Sequence, residues 1–365
     1  MPTLKKIVIQ DFRNIAFQEL SFSPNVNCIS GGNGEGKTNL LDAVWYLSMT
    51  KSAFAGSDRF SVRHGAESFT VAGTYSFPSG PDVRFSVQAN GSGDKKVRRD
   101  DKLYPRISSH IGVLPIVMVS PSDISLVSES GDDRRRFVNS VLSQMDAEYL
   151  SAVQQYNRLL VQRNKYLKDG GTDEGLLSVF DERMEGFAAR IFAYREKFVE
   201  DLLPVIAGYY ETLSGGKERV TVSYKSDLRK ASLGDILRAS REKDMLFKYT
   251  TAGVQRDDFM FQMDGYPIRR CGSQGQQKSF LVSLKFAQYE LMKRRYGFPP
   301  MLLLDDVFDK LDMTRISNLL GMVAGSDFGQ IFITDSNKVR MSGIVDKFTA
   351  DRAYFEAEEG VFTQI

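Results

Sequence analysis

Cysteine and histidine are scarce in this chain. Its 365 residues include two cysteines, Cys28 and Cys271, and two histidines without the spacing of metal ligands. Two thiols are too few for a disulfide framework, and two isolated histidines argue against a structural zinc site. This composition is typical of a reducing cytoplasm, and we expect both cysteines to be small buried hydrophobic side chains.

Long hydrophobic runs and a strong net charge are absent from the sequence as well. No apolar run approaches the ~20 residues of a membrane-spanning helix, and the opening residues MPTLKKIVIQDF lack the apolar core of a signal peptide. We therefore expect a cytoplasmic protein with no membrane partner. Because the formal net charge is only +2, any nucleic-acid surface must come from local clusters of basic residues.

The pattern of apolar residues divides the chain into three blocks. The first begins with an apolar strand at Leu4–Ile9, a turn at Asp11–Asn14, a second apolar strand ending at 26–29, and a helix at Asn39–Ser48. Alternation between residues 69 and 119, with turn residues at 78–81 and 90–91, predicts antiparallel strands in the rest of this block.

The second block is helical, and the third returns to strands. Apolar residues at every third or fourth position predict one long amphipathic helix from residue 133, a break at 169–172, and a second helix that continues to Pro204. Fully apolar segments at Met301–Leu304 and Gln330–Thr334 are typical of buried parallel strands.

A phosphate-binding motif follows the second predicted strand. Residues 31–38 read GGNGEGKT and satisfy the pattern G-x-x-x-x-G-K-T. In this motif backbone N–H groups surround a β-phosphate, the lysine supplies charge to phosphate oxygens, and the hydroxyl coordinates Mg²⁺. A strand runs in and a helix runs out, as the mechanism requires. The motif predicts a nucleotide site made by Gly31, Asn33, Gly34, Gly36, Lys37 and Thr38.

A pair of aspartates ends the apolar strand near residue 301. The sequence there is Leu302-Leu303-Leu304-Asp305-Asp306. We expect Asp305 to hold Mg²⁺ through water, and Asp306 to orient or deprotonate an attacking water.

A third segment, Ser273–Ser279, has the sequence SQGQQKS and precedes an apolar helix. Ser273 is the predicted N-cap, and Gly275 with nearby N–H groups would face a γ-phosphate at the positive end of the helix. The segment lies 236 residues from Lys37. One protomer cannot easily bring so distant a segment onto its own nucleotide, so we expect a dimer in which it reaches the nucleotide of a partner.

In this order the motifs resemble the RecF recombination-mediator family, whose members are bacterial ABC-type ATPases similar to SMC and Rad50 proteins. The resemblance runs nearly end to end and is carried by Arg13-Asn14, Gly31–Asn39, Ser120–Asp123, Arg134–Phe137, Ser273–Ser279 and Leu302–Asp312. It implies an α/β fold, with an ABC-type P-loop ATPase head that contains a mixed sheet and an antiparallel subregion. We expect this head at residues 1–130 and 251–365, and a short helical arm at residues 131–250.

The resemblance further implies an ATP-dependent homodimer that binds double-stranded DNA near single-strand gaps and cooperates with RecO and RecR in loading RecA. It assigns ATP and Mg²⁺ to Lys37, Thr38, Asn39 and Asp305, and the attacking water to Asp306. It also implies that Arg13 and Asn14 lie near the nucleotide and that Ser273, Gly275 and Gln276 act in trans.

Three positions depart from the patterns of related ATPases. Asp309-Lys310 stands where Ser-Glu is commoner in this family, and Thr334-Asp335 follows the last core strand where ABC proteins usually carry a switch histidine. Asp306 is shorter than the glutamate of most fast ABC-type ATPases. We therefore expect slow hydrolysis, with a turnover below about 10 per second, and ATP binding that acts as the switch.

Two basic clusters are candidate DNA contacts, because phosphate binding needs flexible or forked cations and no fixed sequence. One cluster, between two predicted strands, contains Lys95, Lys96, Arg98, Arg99 and Lys102. The other begins the first arm helix with Arg134, Arg135 and Arg136 and continues with Arg158, Arg163, Lys165 and Lys168. Such clusters are also typical of a solvated face.

Two other functions fit parts of the sequence. The nucleotide-binding subunit of a transporter has a much shorter interval between its phosphate loop and its signature segment, and normally carries a coupling glutamine and a switch histidine. An ATP-binding adaptor without DNA contacts would keep the nucleotide site only to stabilise its fold or a partner. DNA-stimulated hydrolysis distinguishes the adaptor from the RecF-like function.

Overall fold

The computed structural model describes residues 1–129, 131–306, 328–337, 343, 345 and 349–365. These residues form two compact units, one of Met1–Asp123 with Gln288–Ile365 and one of Ile124–Ala287. The assignment of an ATPase head to 1–130 and 251–365 and of an arm to 131–250 stays a prediction beside this division. The segment with Asp309-Lys310 lies outside the described residues.

Strands and helices alternate along the described chain. The strands are β1 (Thr3–Phe12), β2 (Ile15–Ser21), β3 (Val26–Ser30), β4 (Ser68–Ser76), β5 (Val83–Asn90), β6 (Lys95–Arg99), β7 (Lys102–Leu103), β8 (Ile116–Val119), β9 (Val220–Lys225), β10 (Asp258–Met263), β11 (Tyr266–Pro267), β12 (Met301–Asp305), β13 (Ile331–Asp335), β14 (Arg352–Glu358) and β15 (Val361–Gln364). The helices are α1 (Lys37–Met49), α2 (Ser125–Ser128), α3 (Gly131–Met145), α4 (Ala147–Lys168), α5 (Glu174–Ser214), α6 (Leu233–Ala239), α7 (Arg241–Phe247), α8 (Ile268–Cys271) and α9 (Gln274–Tyr296).

The described part of the first unit contains two six-stranded sheets. One is antiparallel in the order β2-β1-β4-β5-β6-β7. The other has the order β15-β14-β3-β13-β12-β8, in which β15 alone among these strands runs antiparallel to its neighbour. The predicted combination of a mixed sheet with an antiparallel subregion is confirmed.

The segment before the phosphate loop holds two strands, whereas the sequence predicted one. The cause is a tight turn around Pro24, which fixes φ and cannot donate to a ladder. The Asn27 side chain closes this turn: its Oδ1 accepts from the Ser23 N–H at 2.9 Å, and its Nδ2 donates to the Ser23 carbonyl at 2.9 Å. The turn therefore separates β2 from β3.

Helix α1 is the centre of the first unit's core. It contacts β1, β4 and β5 of the antiparallel sheet as well as β8, β12 and β13 of the mixed sheet. Leu40, Leu41, Val44 and Leu47 are all fully buried in this core. A helix packed on two sides needs no polar stripe, so α1 is buried along most of its length.

The first arm helix is interrupted at Asp146, where the sequence predicted a continuous helix. Asp146 has extended φ and ψ of −150° and 119°, and its side chain accepts hydrogen bonds from the N–H groups of Glu148 and Tyr149. An aspartate in this geometry caps a new helix. The prediction of one continuous helix was wrong because apolar residues have the same spacing in α3 and α4. Periodicity alone therefore does not reveal a break of one residue.

Helix α5 continues for ten residues beyond Pro204, which the sequence analysis took as its end. A proline inside a helix costs roughly 3 kcal/mol, because it removes one hydrogen bond and crowds the preceding turn. Four side chains close to Pro204 or beyond it in the helix are buried: Leu202, Ile206, Tyr210 and Leu213. Because each such apolar side chain contributes about 1.5–3 kcal/mol, their combined burial exceeds the cost of the proline.

The two cysteines lie in different environments. Cys28, on β3, is buried as predicted, whereas Cys271, at the end of α8, is exposed and that prediction was wrong. Helix α8 is only four residues long and leaves the Cys271 Sγ 3.3 Å from the Pro267 carbonyl oxygen.

A buried ion network joins helices of the second unit. The Arg163 side chain is fully buried, with Nε 2.9 Å from Asp181 Oδ1 and one NH group 2.7 Å from Asp244 Oδ2. Asp244 also accepts hydrogen bonds from the backbone and hydroxyl of Thr251. Arg241 pairs with the second oxygen of Asp181 at 2.6 Å. Arg163, a candidate DNA contact from its sequence position, is thus enclosed by protein.

Removal of Asp244 tests this network. We expect Asp244→Ala to lower the free energy of unfolding by about 3–5 kcal/mol, because it leaves Arg163 buried with one carboxylate fewer. Urea unfolding followed by circular dichroism measures the change. Asp201→Ala is the matched control, since Asp201 pairs with Lys197 at an exposed site and its loss should change little. Equal unfolding midpoints for the two variants would contradict the assignment.

Candidate nucleotide site

The predicted phosphate loop connects β3 to α1 at the edge of the mixed sheet. Lys37 is the first residue of α1 and is buried. Its Nζ donates to the carbonyl oxygens of Gly31 and Gly32 at 2.9 and 2.8 Å. The ammonium group therefore lies over the loop, while Asn33 and Gly34 are exposed at its tip. This arrangement places one cation against backbone that can present N–H groups to a phosphate.

Asn14 braces the end of this loop. Gly36 has a left-handed φ of 102°, and a Cβ at this position would lie 2.7 Å from Asn14 Nδ2. Asn39, in the first turn of α1, donates through Nδ2 to Asn14 Oδ1 at 2.7 Å. Only glycine accommodates both the conformation and the contact at Gly36. The structure thus brings the predicted residues Asn14, Gly36 and Asn39 together.

The turn between β14 and β15 also touches the loop. The Gly360 N–H donates to the Glu35 carbonyl at 3.0 Å, and the Glu359 N–H bonds to the Glu35 carboxylate. Gly360 has φ of 81°, and a Cβ there would lie 2.6 Å from the Asn14 carbonyl oxygen. No motif in the sequence predicted this contact. Glu359-Gly360 has the composition of a turn, but nothing in the sequence indicates what a turn touches.

Arg13 is engaged with α1. Its guanidinium NH2 lies 2.7 Å from Asp42 Oδ2 and 2.8 Å from the Ser52 hydroxyl. Burial raises the pKa of Asp42, and the charge of Arg13 opposes this shift. Arg13 therefore compensates a buried carboxylate on the helix that follows the phosphate loop. Its predicted contact with the nucleotide stays a prediction.

The first aspartate of the acidic pair meets the threonine of the phosphate loop. Thr38 Oγ1 lies 3.0 and 2.9 Å from the two carboxylate oxygens of Asp305, which ends β12. Asp305 is buried, and burial raises its pKa, whereas hydrogen bonds from Thr334 and Thr38 oppose the shift. The predicted pairing of the loop with this strand end is therefore present in the geometry.

Thr334, at the end of β13, links the two aspartates. Its hydroxyl donates to Asp305 Oδ1 at 2.8 Å and accepts from the Asp306 N–H at 2.9 Å. Thr334 is fully buried, and Asp306 adopts a left-handed φ of 44°. The sequence placed this threonine where a switch histidine is usual but gave it no role. Its hydroxyl fixes the turn in which Asp306 lies.

The donor atoms of this site suit ATP with Mg²⁺. One threonine hydroxyl and one carboxylate are oxygen ligands of the kind that Mg²⁺ prefers, and Mg²⁺ is usually held by one or two carboxylates together with substrate phosphates. Among the residues that the structure describes, no group of three or more His, Cys, Asp or Glu side chains forms a metal cage of its own. Thr38 and Asp305 are thus two protein oxygen ligands for a Mg²⁺ ion bound together with nucleotide phosphates.

The segment Ser273–Ser279 opens α9 in the second unit. Ser273 Oγ accepts from the Gln276 N–H at 3.3 Å, and Gln276 Oε1 accepts from the Ser273 N–H at 2.7 Å. This reciprocal pair is a capping box, so the predicted N-cap role of Ser273 is confirmed. Gln276 Nε2 also donates to Glu218 at 2.8 Å. Gly275 lies within the first turn of the helix.

The arginines at the start of α3 make internal ion pairs. Arg134 is buried and binds Asp258 through Nε and NH2 at 2.9 and 3.0 Å. Arg135 bonds to Asp132 and to the Asp257 carbonyl. Arg136 is exposed and pairs with Asp133 at 2.7 Å. Arg134 in particular is held by a bidentate carboxylate contact.

The cations of β6 separate by strand alternation. Lys95 Nζ lies 2.8 Å from Asp58 and bonds to the Thr50 carbonyl at 2.6 Å. Arg99 lies over the ring of Phe85, 5.8 Å from its centroid. Lys96 and Arg98 point to the other face, because neighbouring residues of a strand alternate.

The mixed sheet, the phosphate loop and the acidic strand end define a P-loop ATPase head of the SMC type. The head domain of an SMC protein from Pyrococcus furiosus superposes with a TM-score of 0.59, at 15% identity, over 100% of this chain and 96% of that one. At this identity the likeness concerns the fold alone. Among the described residues, no helix is both long and apolar enough to cross a membrane.

Comparison with known sequences shows to which family within this class of ATPase heads the chain belongs. Residues 3–350 match the family model RecF/RecN/SMC N terminal domain. The DNA replication and repair protein RecF of Bacteroides fragilis is 41% identical over 363 residues, which cover 99% of this chain and 98% of that protein. A structure of the recombination mediator protein RecF with ATP, from the RecFOR pathway, superposes with a TM-score of 0.90, at 28% identity, over 100% of this chain and 98% of that one. The chain belongs to the RecF family.

The contact of Gly360 with Asn14 can be tested by a substitution that adds one methyl group at Gly360. We expect Gly360→Ala to weaken ATP binding by about tenfold, or ~1.4 kcal/mol, because the new Cβ must displace Asn14 from the phosphate loop. Titration with a fluorescent ATP analogue measures the affinity.

Gly265→Ala is the matched control for this variant. Gly265 has φ of 82°, and a Cβ there meets nothing within 4 Å. Both variants carry the roughly 1–2 kcal/mol cost of a left-handed alanine. If Gly265→Ala weakens ATP binding as much as Gly360→Ala does, the effect is general strain and the proposed contact has no part in it.

Proposed function

We propose that this RecF-family chain is an ATP-dependent recombination mediator. It binds ATP with Mg²⁺, dimerises, binds duplex DNA at junctions with single-strand gaps, and helps RecO and RecR to load RecA. Support comes from relatives that are DNA replication and repair proteins, and from the similar RecF with ATP, which belongs to the RecFOR pathway. Hydrolysis is slow and resets the switch.

One contact carries this proposal. Thr38 and Asp305 are separated by 267 positions in the sequence, yet the hydroxyl lies within 3.0 Å of both carboxylate oxygens. A hydroxyl from a phosphate loop and a carboxylate from a neighbouring strand end are the protein ligands of Mg²⁺ in P-loop ATPases. Their meeting favours nucleotide binding over a purely structural glycine turn.

Each residue of the site has a distinct task in this proposal. Thr38 and Asp305 would hold Mg²⁺, which would supply positive charge to the phosphates. Lys37 supplies a fixed positive charge, and Thr38 and Asp305 provide oxygen ligands. Asp306 orients the attacking water, and Thr334 fixes the backbone of Asp306 through its hydroxyl. A carboxylate that is already held in the productive geometry orients the water at a smaller entropy cost than a mobile carboxylate does.

The capped start of α9 is the proposed trans element. The capping box orders Ser273, which remains exposed, beside the free N–H groups of the first helical turn. Such a helix start favours an anion through its N–H groups and its dipole. We propose that Ser273, Gly275 and Gln276 approach the γ-phosphate bound by a second copy of the chain.

An ATP-binding adaptor without DNA contacts is the second candidate function. The observation in its favour is that Lys95, Arg134 and Arg135 are held by internal partners. ATPase assays with and without duplex DNA separate the two functions. Stimulation by DNA supports the mediator, whereas ATP binding with no DNA-dependent change supports the adaptor.

Thr334 gives a test of the hydrolytic site. With wild-type turnover below about 10 per second, we expect Thr334→Val to lower kcat about tenfold and to leave the KM for ATP within about twofold. The valine keeps the shape but removes the hydroxyl that holds Asp305 and Asp306. Thr334→Ser keeps the hydroxyl and should retain kcat. Equal kcat values for the valine variant and the wild type would refute this role.

Ser273 gives a test of the trans site. We expect Ser273→Arg to bind ATP with unchanged affinity but to lose ATP-induced dimerisation on gapped DNA, because the larger cation fills the space that a phosphate would occupy. Sedimentation velocity with ATP and gapped DNA measures the dimer, and Lys37→Arg shows the result of a damaged phosphate loop.

Ser273→Ala controls for loss of the helix cap in this experiment. It removes the hydroxyl, at a cost of about 1 kcal/mol, without adding bulk. Because it also removes one contact with the phosphate, the alanine variant should dimerise less tightly than the wild type but more tightly than Ser273→Arg. Normal dimerisation of Ser273→Arg would remove the trans assignment.

A further inference from the structure

The antiparallel sheet of the first unit has two unlike faces. One face presents Val71, Phe85, Val87 and Val97, which are buried in the core with α1. The alternate positions on the other face include Thr70, Ser86, Gln88 and Lys96, which are exposed or half-buried. This second face, here called the outer sheet face, carries polar side chains at the positions nearest β6, and towards β2 it includes Ala72 and the exposed ring of Phe17. The nucleotide site does not use it.

Lys96 and Arg98 are the free cations of this face. Their neighbours Lys95 and Arg99 point to the core side and are held by Asp58 and by the ring of Phe85. Among the residues that the structure describes, Lys96 and Arg98 make no hydrogen bond or ion pair. Their charges are therefore available to a ligand without the loss of an internal contact.

Strand pairing places polar side chains directly beside these two cations. Lys96 pairs with Gln88, and Gln88 with Thr70. Arg98 pairs with Ser86. Neighbouring strands lie about 4.8 Å apart, so each row presents donors at close, regular intervals. The carboxylate of Glu19, on the same face near the far edge, is already 2.6 Å from Lys6 Nζ.

We propose that the outer sheet face binds the phosphate backbone of duplex DNA, with Lys96 and Arg98 as its charged contacts. This inference rests on the proposed DNA-binding function and assigns a surface to it. Lysine, arginine and neutral hydroxyl or amide donors are the groups that contact DNA phosphates in proteins.

The composition of the rows favours backbone contact over base recognition. Single strands are held by aromatic side chains on which bases stack, and the positions next to Lys96 and Arg98 are Gln88 and Ser86. Contacts from cations, hydroxyls and amides to phosphates carry no sequence information. Binding at this face is therefore independent of DNA sequence.

The experiment compares Lys96→Gln/Arg98→Gln with wild type in the presence of ATP. The probe is a duplex of random sequence, and its affinity is measured by fluorescence anisotropy between about 50 and 200 mM salt. Loss of two phosphate contacts should reduce the slope of log K against log salt by about 1.8. The reduction should be the same for a second duplex of unrelated sequence.

Lys102→Gln/Arg106→Gln is the matched control, because it removes the same charge beside the same sheet edge. Lys102 pairs with Arg99 and so lies on the core-side face, and Arg106 lies in the following loop. This control should keep the wild-type slope.

Three outcomes decide the proposal. A reduced slope in the Lys96 and Arg98 variant alone supports it. An unchanged slope in that variant overturns it, and so does an equal loss in the control, which would mean that only total charge matters. Absence of DNA binding by the wild type with ATP would instead refute the proposed function. ATP affinity, expected to be unchanged in both variants, verifies that they fold.

Discussion

The contact between Thr38 and Asp305 is the constraint on which the first unit depends. It joins the phosphate loop to the end of β12, and it holds a buried carboxylate that is costly to desolvate. Strand order makes the contact possible. β13 lies between β3 and β12 in the parallel part of the sheet, and the carboxyl ends of parallel strands meet at one edge. Thr334, at the end of β13, therefore pairs in register with Asp305.

The second unit uses its arginines differently. Arg195 is buried and binds Asp257 and the Val254 carbonyl at 2.8 and 2.7 Å, and Arg163 binds Asp181 and Asp244. A buried guanidinium has five donors in a fixed plane, so each one ties several segments together. These networks set the positions of helices in the arm region, and they remove several basic residues from the surface on which a polyanion would bind.

The sequence was sufficient to predict that the phosphate loop and the acidic strand end meet, and was less sufficient for the bounds of the helices. Gly31–Thr38 and Leu302–Asp306 were predictable because the chemistry of a phosphate loop demands particular residues at fixed spacing. The helix break at Asp146 and the continuation of α5 past Pro204 were not predictable in this way. Each depends on competing free-energy contributions of a few kcal/mol, and the spacing of apolar residues does not measure them. The contact of Gly360 with Asn14 joins residues from opposite ends of the chain, and a single sequence carries no signal for it.

The basic clusters show why charge on a sequence predicts a surface poorly. Lys95 and Lys96 are adjacent, yet Lys95 bonds to Asp58 and Thr50 while Lys96 faces away from them. This difference follows from the alternation of side chains along a strand. Val97 is buried in the core, and Lys95 and Arg99, two positions away on either side, lie on the same face as Val97. In α3 the same logic works through ion pairs, since Asp258 holds Arg134. A basic side chain is available to a ligand only if no internal ion pair or hydrogen bond already holds it.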